Sequence, residues 1–539
     1  MPLQPVRFFR IALAISLAGS ALLYFLWSWQ WPLVGDASLI HYIAFLTERG
    51  WAPYRQLGDM NMPGSFLIEM AAMRIFGMGD LAWRLFDFTL VAVAAGAFFV
   101  IAGAKNRLAG LFAASLFLLV HGRDGLAQGG QRDLTMAVCL IAATASLLTA
   151  MRAGARVRSS AISWPAALFG LLSGIAITIK PTAVLLTVAQ AALLLHTLRR
   201  QALDDPNGQA NGSRIGTIVP AILGWLIAPI VAFCFLVRER ALTAFIDGFH
   251  GIVPYYASLG HRSLGYILLH SLSPLLSLVI LWLALLACDR TLLRRTLNWS
   301  QDRERAALSL GILFGLINCI VQARALPYYR YPLLAFLLPV MALDFTQTFQ
   351  RSAGTRANGL RVRAAGALAF LGLFVGGLVL APQSAVLIHR YRWWQMDFID
   401  SLEQNLNTLG GSRLSGHVQC IDSVSGCGTV LFRMRLEPST GVLSDFLLFG
   451  PSDMPIIQQT RQQLSAAMRE SPPQVIVVTA HLHMDGPDNY LKLSRWPEFT
   501  RFLDDRYTLQ SQWVPPRAIR WWSREEKPDS YRIYVLRQP

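Results

Sequence analysis

Charged residues are scarce in this chain, and acids are scarcer than bases. Only 15% of the 539 residues are charged, with 32 acids against 48 Lys and Arg, whereas 54% are hydrophobic and the mean hydropathy is +0.41. A typical soluble domain has about 25% charged residues, so the composition excludes that class. Long apolar runs fill the chain from about residue 11 to residue 385, and each approaches the ~20 residues that a spanning helix needs. The sequence therefore predicts an integral membrane protein.

Several motifs of soluble enzymes are missing. The sequence has no GxxxxGKS/T phosphate loop, no GxSxG elbow, no HExxH motif and no zinc-like spacing among its six cysteines. Nucleotide-driven transport, serine hydrolysis and zinc proteolysis therefore lose their usual support. His481 and His483 are close neighbours, but a metal site there lacks further ligands. The net charge of +16 does not indicate a nucleic-acid partner, because the cations punctuate the apolar runs instead of sharing one folded face.

Eleven apolar segments predict transmembrane helices. They are, roughly, 11–29, 81–104, 108–121, 134–150, 161–179, 181–198, 215–237, 264–287, 307–322, 331–349 and 364–385. The first segment could be a cleavable signal, but the tryptophans that follow it favour a retained anchor. If the N-terminus is inside, the loops rich in Arg are cytoplasmic by the positive-inside rule, and the loop that holds Asp36, the segment 121–133 and the C-terminal tail face outwards. This predicts a multi-pass protein of a bacterial inner membrane with a periplasmic tail.

Two shorter apolar segments and the tail complete the predicted organisation. Segments 37–50 and 64–77 are apolar but carry charges, which indicates helices along the membrane interface. In the tail, strand-like runs at 417–421, 474–479 and 531–536 alternate with helical patterns near 427–436, 456–469 and 496–506, which predicts a small α/β domain. Cys420 and Cys427 could pair if the tail faces an oxidising compartment. We predict a transmembrane domain over 1–388, with a catalytic outer loop at 30–80, and a soluble extracytoplasmic domain over 389–539.

Asp36 is the leading candidate for catalysis. It lies just beyond the point where the first span leaves the bilayer, ahead of a long loop with aromatic, Gly and Pro residues. Ionisable groups at such positions are costly and functional by default. A carboxylate within hydrogen-bond reach of an incoming hydroxyl can act as its general base. The alternative is an acid that caps the helix that follows.

A second outer loop and three cations offer further chemistry. The loop HGRDGLAQGGQRD crowds His121, Arg132 and Asp133 together with other charges, and Asp133 can orient a substrate, bind a metal or cap the fourth span. Lys180 interrupts an apolar run and needs an anionic partner, which can be a lipid phosphate, a nearby Asp or the interface. The guanidinium groups of Arg324 and Arg330, in QARALPYYRYP, suit a phosphate.

The order of these segments resembles the membrane glycosyltransferases of the GT-C class. The matching segments are GDASLIHYIAFLTERGWAPYRQLGDMNMPGSF after the first span, RDLTMAVCL at the start of a span, IKPTAVLL and PYYRYPLL, within about residues 10–350. The branch it resembles contains protein O-mannosyltransferases, lipid A aminoarabinose transferases and rhizobial lipopolysaccharide-core transferases. The resemblance implies a GT-C-like α-helical polytopic fold of about 11 transmembrane helices with a small C-terminal α/β domain. It also implies transfer of a sugar from a polyprenyl-phosphate donor to a lipid, glycan or protein acceptor outside the cytoplasm, with inversion.

The resemblance assigns roles residue by residue. Asp36 takes the place of the first-loop catalytic acid and Asp133 that of the second-loop acid, while Lys180 and an arginine such as Arg330 hold the lipid phosphate. We also predict that Arg324 and Arg132 contribute to that phosphate site. The predicted substrate-loop residues are Tyr54, Asp59, Asn61 and His121. Many relatives have a second acid beside the first, or a Glu-Lys pair at the end of the loop, where this chain has Ala37 and Asn61-Met62. The donor sugar and the use of a divalent metal therefore stay open.

We expect the carboxyl of Asp36 and the cations of Lys180 and Arg330 to share one chamber that opens away from the cytosol. A polytopic lipid or polysaccharide flippase or transporter is the main alternative. It predicts internal pseudo-symmetry and charges near the bilayer midplane, and the sequence shows neither. A non-catalytic assembly protein with a binding tail is a third interpretation, which leaves the Asp36 loop without a purpose.

Overall fold

The structure is a computed structural model of the chain. It describes residues 4–125, 128–154, 162–203, 210–297, 302–354, 359–390, 396–422, 425–482, 490–515, 519–521, 524–526 and 529–537. The first seventeen α-helices are α1 Gln4–Ser28, α2 Gly35–Glu48, α3 Pro63–Phe76, α4 Asp80–Ala102, α5 Arg107–Arg123, α6 Arg132–Gly154, α7 Trp164–Ile179, α8 Val184–Leu203, α9 Ala210–Arg238, α10 Leu242–Ser258, α11 Leu264–Leu272, α12 Leu276–Cys288, α13 Arg290–Leu297, α14 Arg303–Gln322, α15 Tyr331–Gly354, α16 Leu360–Phe374 and α17 Ala381–Arg390. The remaining helices are α18 Met396–Leu409, α19 Cys427–Arg433, α20 Phe446–Phe449, α21 Pro455–Glu470 and α22 Pro497–Arg506. The strands are β1 Val418–Ile421, β2 Val475–Thr479, β3 Tyr507–Trp513, β4 Ile519–Trp521, β5 Arg524–Glu526 and β6 Tyr531–Leu536.

Every predicted span coincides with one helix or with helices that follow one another directly. Within the described residues, nine helical segments are long and apolar enough to cross a membrane. The other two predicted spans, the third and the fifth, are α5 with 17 residues and α7 with 16, which is shorter than the ~20 residues of a full crossing. The last predicted span contains a π-helical stretch, Val375–Leu380, between α16 and α17. The predicted α-helical polytopic architecture is confirmed.

The chain divides into two compact units. The first unit comprises Met1–Trp31, Arg84–Ala232 and Arg262–Arg392, and the second comprises Pro32–Trp83, Phe233–His261 and Trp393–Pro539. The first outer loop and α10 therefore belong to the same unit as the tail. The division into domains over 1–388 and 389–539 stays a prediction.

Glycines let helices of the first unit approach closely. A Cβ added to Gly170 of α7 would overlap the carbonyl oxygen of Ala221 on α9, and one added to Gly224 of α9 would overlap that of Ala167 on α7. In α14, Gly315 faces the backbone of Leu333 on α15 in the same way. Small residues at helix crossings are the usual means of close packing in a membrane. These crossings fix the helices that carry the polar residues described below.

A four-stranded sheet organises the tail in the second unit. Its strand order is β1-β2-β6-β3, with β1 parallel to β2 and β6 antiparallel to both β2 and β3. All residues of β1 and β2 are buried, because the helices of the tail cover the sheet and their apolar side chains join its core. Cys420 of β1 and Cys427 of α19 form a disulfide. The three strands and three helices predicted in the tail are all present.

Candidate functional site

A buried ion pair joins two spans of the first unit. Lys180 follows the last residue of α7, and Pro181 behind it ends the helix, so that the backbone of Lys180 is extended with φ −151° and ψ 115°. Its Nζ donates to Oδ1 of Asp133 at 2.7 Å and to Oε1 of Gln322 at 2.6 Å. Asp133 is fully buried and lies inside the first turn of α6, not at its cap. Of the three partners proposed for Lys180, the structure supplies the nearby Asp.

Side chains of α14 and the turn after it surround this pair. The Lys180 ammonium lies 5.0 Å from the centre of the Tyr329 ring, within the range of a cation–π contact. Nδ2 of Asn318 donates to the Tyr329 carbonyl at 3.4 Å, and Sγ of Cys319 does so at 3.2 Å. Asn318, Cys319 and Gln322 thus bring one end of α14 to the Asp133–Lys180 pair.

Cations outnumber carboxylates around the pair. Arg330 is buried and contacts Asp124 at 3.2 Å, while Nε of Arg132 is 4.0 Å from Oδ2 of Asp133. Cys319 and Lys180 both contact Tyr329, the residue before Arg330, which brings the Lys180–Asp133 and Arg330–Asp124 pairs together in one cluster. The ion pairs of the cluster contain three cations, Arg132, Lys180 and Arg330, and two carboxylates, Asp124 and Asp133. Arg324 is also buried. The structure thus brings together most of the residues predicted to hold a phosphate.

A second buried network supports the loop that leads to Asp133. Asp87 accepts hydrogen bonds from Nη1 of Arg84 at 2.6 Å and from the backbone N of Gly130 at 2.9 Å, and Nε2 of His121 lies 3.1 Å from it. Nδ1 of His121 is 2.6 Å from the hydroxyl of Tyr331. Arg84, Asp87 and His121 are at most 1% exposed, so His121 is enclosed by protein. Arg84 and Asp87 are not among the predicted site residues, although two opposite charges three residues apart in an apolar span are a visible signal.

Asp36 begins the polar part of the second unit. It lies in the first turn of α2, next to Gly35, whose φ of +67° is left-handed. The cap position belongs to Val34, which has no side-chain cap bond, so the capping role considered for Asp36 is wrong. The carboxylate is partly exposed and makes no hydrogen bond or ion pair with a described residue. It is therefore free to accept a proton from a ligand.

The tail holds the helix that carries Asp36. Oγ1 of Thr429 on α19 donates to Oγ of Ser38 at 2.6 Å, and Ser38 in turn donates to the carbonyl of Gly35 at 2.7 Å. The Tyr42 hydroxyl donates to the carbonyl of Leu436 at 3.0 Å, and Nε1 of Trp51 donates to Glu437 at 2.9 Å. These bonds fix the first turn of α2 and the loop behind it on the tail.

Three of the predicted substrate-loop residues lie together in the second unit. The hydroxyl of Tyr54 donates to the carbonyl of Asn61 at 2.5 Å, and the backbone N of Asn61 donates to Oδ1 of Asp59 at 2.5 Å. Burial, and then the charge of Asp59, raise the pKa of Tyr54 well above its usual value, so its hydroxyl keeps its proton. Asp36 belongs to this unit, whereas Lys180 and Arg330 belong to the first. The shared chamber therefore stays a prediction.

The described residues contain no group of three or more His, Cys, Asp or Glu side chains that could hold a metal ion. His481 is described, while His483 lies outside the described residues. The part of the chain that the structure describes therefore offers no ligand set for a divalent metal, and the use of a metal stays open.

Comparison with known proteins identifies the fold. No family model matches the chain, and no curated protein matches it significantly. The chain is similar to the solved structure of ArnT from Cupriavidus metallidurans in the apo state, with a TM-score of 0.54, 14% identity, and coverage of 96% of this chain and 97% of that one. The same protein bound to undecaprenyl phosphate gives a TM-score of 0.53, 14% identity and the same coverage. The archaeal oligosaccharyltransferase AglB from Archaeoglobus fulgidus, in complex with an inhibitory peptide and a dolichol-phosphate, gives 0.50 at 12% identity, over 88% of this chain and 70% of that one. The predicted fold class, a GT-C-like helical membrane protein with a small C-terminal α/β region, is confirmed.

Proposed function

We propose that the chain is an inverting glycosyltransferase that moves a sugar from a polyprenyl-phosphate donor to a lipid, glycan or protein acceptor outside the cytoplasm. The observation that carries the proposal is the buried cluster around Lys180, where three cations accompany two carboxylates. Excess positive charge at a largely buried place fits the phosphodiester of such a donor, which carries one negative charge, and the lipid phosphate that leaves with a second charge, because the site neutralises the anion in a low dielectric. A lipid donor also explains why the sequence lacks a nucleotide motif.

The structural neighbours support the same donor class. The ArnT structure holds undecaprenyl phosphate and the AglB structure holds a dolichol-phosphate, so both solved folds accommodate a phosphate on a polyprenyl chain. In this chain, the equivalent ligand would be the donor before transfer and the free lipid phosphate after it. The cell-envelope setting and the periplasmic orientation of the tail are part of this proposal.

The proposed reaction is one displacement at the sugar carbon that bears the phosphate. The carboxylate of Asp36 accepts the proton of the acceptor hydroxyl, whose oxygen forms a bond to that carbon from the opposite side. The bond between the carbon and the phosphate oxygen breaks, and its electron pair stays on the phosphate. Lys180 and Arg330 balance the charge that develops there. Loss of one such preorganised partner raises the barrier by about 3 kcal/mol, or roughly a hundredfold in rate.

Asp133 acts on this reaction through Lys180. Its Oδ1 holds the ammonium at 2.7 Å, so the lysine is fixed in place before the donor arrives. The phosphate then shares the ammonium with Asp133, and the other cations of the cluster offset the repulsion between the two anions. Asp133 is thus assigned to positioning, and Asp36 to proton transfer.

The test is sugar transfer in membranes that contain the full chain. Labelled polyprenyl phosphate sugars are supplied, and transfer by the native protein is compared with that by Asp36→Asn at matched expression. We expect Asp36→Asn to lower transfer by about a hundredfold, because the amide cannot accept the proton. The matched control is Asp505→Asn, which changes an exposed carboxylate on α22 and should leave transfer unchanged. Undiminished transfer by Asp36→Asn would remove this residue as the base, and no product from any lipid donor would favour the flippase.

A further inference from the structure

Four buried polar atoms beside Lys180 have no hydrogen-bond partner in the part of the chain that the structure describes. Two of them are acceptors, Oδ2 of Asp133 and Oδ1 of Asn318, and two are donors, Nε2 of Gln322 and Nε of Arg330. A buried polar atom without a partner costs about 1–3 kcal/mol, so native proteins rarely keep several together without a ligand or ordered water. These atoms therefore mark a place where a polar ligand fits.

The two carboxamides share one face of α14. Asn318 and Gln322 are four residues apart, the spacing that stacks side chains on one side of a helix. Oε1 of Gln322 accepts from Lys180 at 2.6 Å, which leaves its Nε2 as the free end. Nδ2 of Asn318 donates to the Tyr329 carbonyl at 3.4 Å, which leaves its Oδ1 free. The contacts of each amide thus fix which atom is available to a ligand.

Hydrogen-bond chemistry decides what kind of ligand this place can take. A phosphate dianion only accepts hydrogen bonds, so it satisfies Nε2 of Gln322 and Nε of Arg330. It cannot satisfy Oδ1 of Asn318, and the carboxylate oxygen of Asp133 repels it. Among the described residues, Oδ1 of Asn318 has no donor, and the nearest guanidinium to Oδ2 of Asp133, that of Arg132, is 4.0 Å away and beyond hydrogen-bond distance. Both acceptors therefore need an O–H or N–H donor. A sugar attached to the phosphate carries hydroxyl groups, which both donate and accept hydrogen bonds. A sugar phosphate therefore supplies partners for the two free acceptors and the two free donors at once.

We propose that Asn318 and Gln322, together with Oδ2 of Asp133, form a subsite that recognises hydroxyl groups of the donor sugar. This inference rests on the function proposed above and deepens it. The two carboxamides take no part in bond making. They distinguish a sugar-loaded lipid phosphate from a bare one, and they select among sugars by the position of a hydroxyl. A site built to bond a hydroxyl discriminates strongly against an analogue that lacks it, because its buried polar atoms are then left unpaired.

The experiment measures binding of two lipids to the purified full chain in detergent. One lipid is a polyprenyl phosphate sugar that the native protein uses, and the other is bare polyprenyl phosphate. The variants are Asn318→Leu and Gln322→Met, which keep the size of the side chain and remove its amide. We expect Asn318→Leu to weaken binding of the sugar-loaded lipid at least tenfold and binding of the bare lipid less than threefold. Gln322→Met should weaken binding of the sugar-loaded lipid more than binding of the bare one, while Lys180→Met should weaken binding of both. Ile317→Leu, at an exposed position of the same helix, is the control and should change neither.

A second measurement keeps the inference testable if one variant does not fold. Donor lipids that each lack one sugar hydroxyl are bound to the native protein and to the variant that folds. We expect at least one hydroxyl deletion to weaken binding tenfold or more in the native protein and less than twofold in the variant. The inference would be overturned if the carboxamide variants lost affinity equally for both lipids. It would also be overturned if every hydroxyl deletion weakened binding as much in the variant as in the native protein. Either result would leave the glycosyltransferase proposal intact. If the native protein binds neither lipid, the proposed function itself fails.

Discussion

At the scale of the residue, the first unit buries charged side chains beside partners of opposite charge, away from water. Arg84 and Asp87 are both fully buried, and their side chains meet at 2.6 Å. The guanidinium also lies 4.5 Å from the centre of the Phe88 ring. Because water does not reach this pair, each charge depends on the other for its stability. The pair in turn holds Gly130 and His121, and with them the loop that leads to Asp133.

Removal of one partner of this pair should be costly. We expect Asp87→Asn to lower the free energy of unfolding by about 3–5 kcal/mol, because it leaves the Arg84 charge buried and uncompensated. The measurement is thermal or denaturant unfolding of the purified protein in detergent. Glu304→Gln is the matched control, since it breaks the ion pair between Glu304 and Arg152. The side chains of these two residues are 46% and 37% exposed, and exposed ion pairs contribute about 0–1 kcal/mol. Equal losses in the two variants would contradict this account.

The sequence indicates some residues of the candidate site and gives no signal for others. Lys180 and Asp133 stand out because a charge in or beside an apolar run needs an explanation, and the structure joins them. Asn318 and Gln322 give no such signal, since neutral amides in an apolar helix are compatible with many environments. Their importance comes from a fold that brings α14 to the end of α7, and no local pattern encodes that approach.

At the scale of the element, small residues decide which helices meet. We expect Gly170→Ala to destabilise the protein by about 1–3 kcal/mol, since the new methyl group collides with the backbone of α9 and forces the two helices apart. Gly96→Ala is the control, because a Cβ at Gly96 of α4 meets nothing within 4 Å. The measurement is the unfolding temperature of both variants in the same detergent. Helix propensity alone favours alanine at both positions, so a loss of equal size at Gly96 would contradict the assignment of the effect to the crossing.

Periodicity and length predicted most elements of this fold but missed five in the tail, namely α18, α20, β3, β4 and β5. In α18, the buried residues Phe398, Ile399, Leu402 and Leu406 follow the helical repeat, so the signal was present in the sequence. In β3, only the first of seven residues is buried, because the strand lies at the edge of the sheet and lacks an apolar run. Its pairing with β6 becomes visible only when the sheet is assembled. The packing of α2 on α19 has no local signal either, since the partners are far apart in the chain.

At the scale of the whole molecule, the distribution of basic residues predicts which parts lie on which side of the membrane. We expect a cysteine placed at Ser412 in the tail to react with a membrane-impermeant thiol reagent in intact spheroplasts. A cysteine placed at Thr291, at the start of the basic helix α13, should react only after lysis, because Arg-rich segments stay in the cytoplasm. Both positions are exposed, and the unmodified chain gives the background. Labelling of both cysteines in intact spheroplasts would refute the predicted topology.

The hydrogen bond between Ser38 and Thr429 has a consequence for biosynthesis. These residues are 391 positions apart, and the segments of the second unit are separated along the chain by long parts of the first. At about 5–20 residues per second, the ribosome needs roughly 20–80 s to make the stretch between them. During that time the nascent loop that bears Asp36 has no tail to hold it. A chain whose synthesis stops before Thr429 therefore carries the acid without this support, and we expect it to lack the proposed transfer.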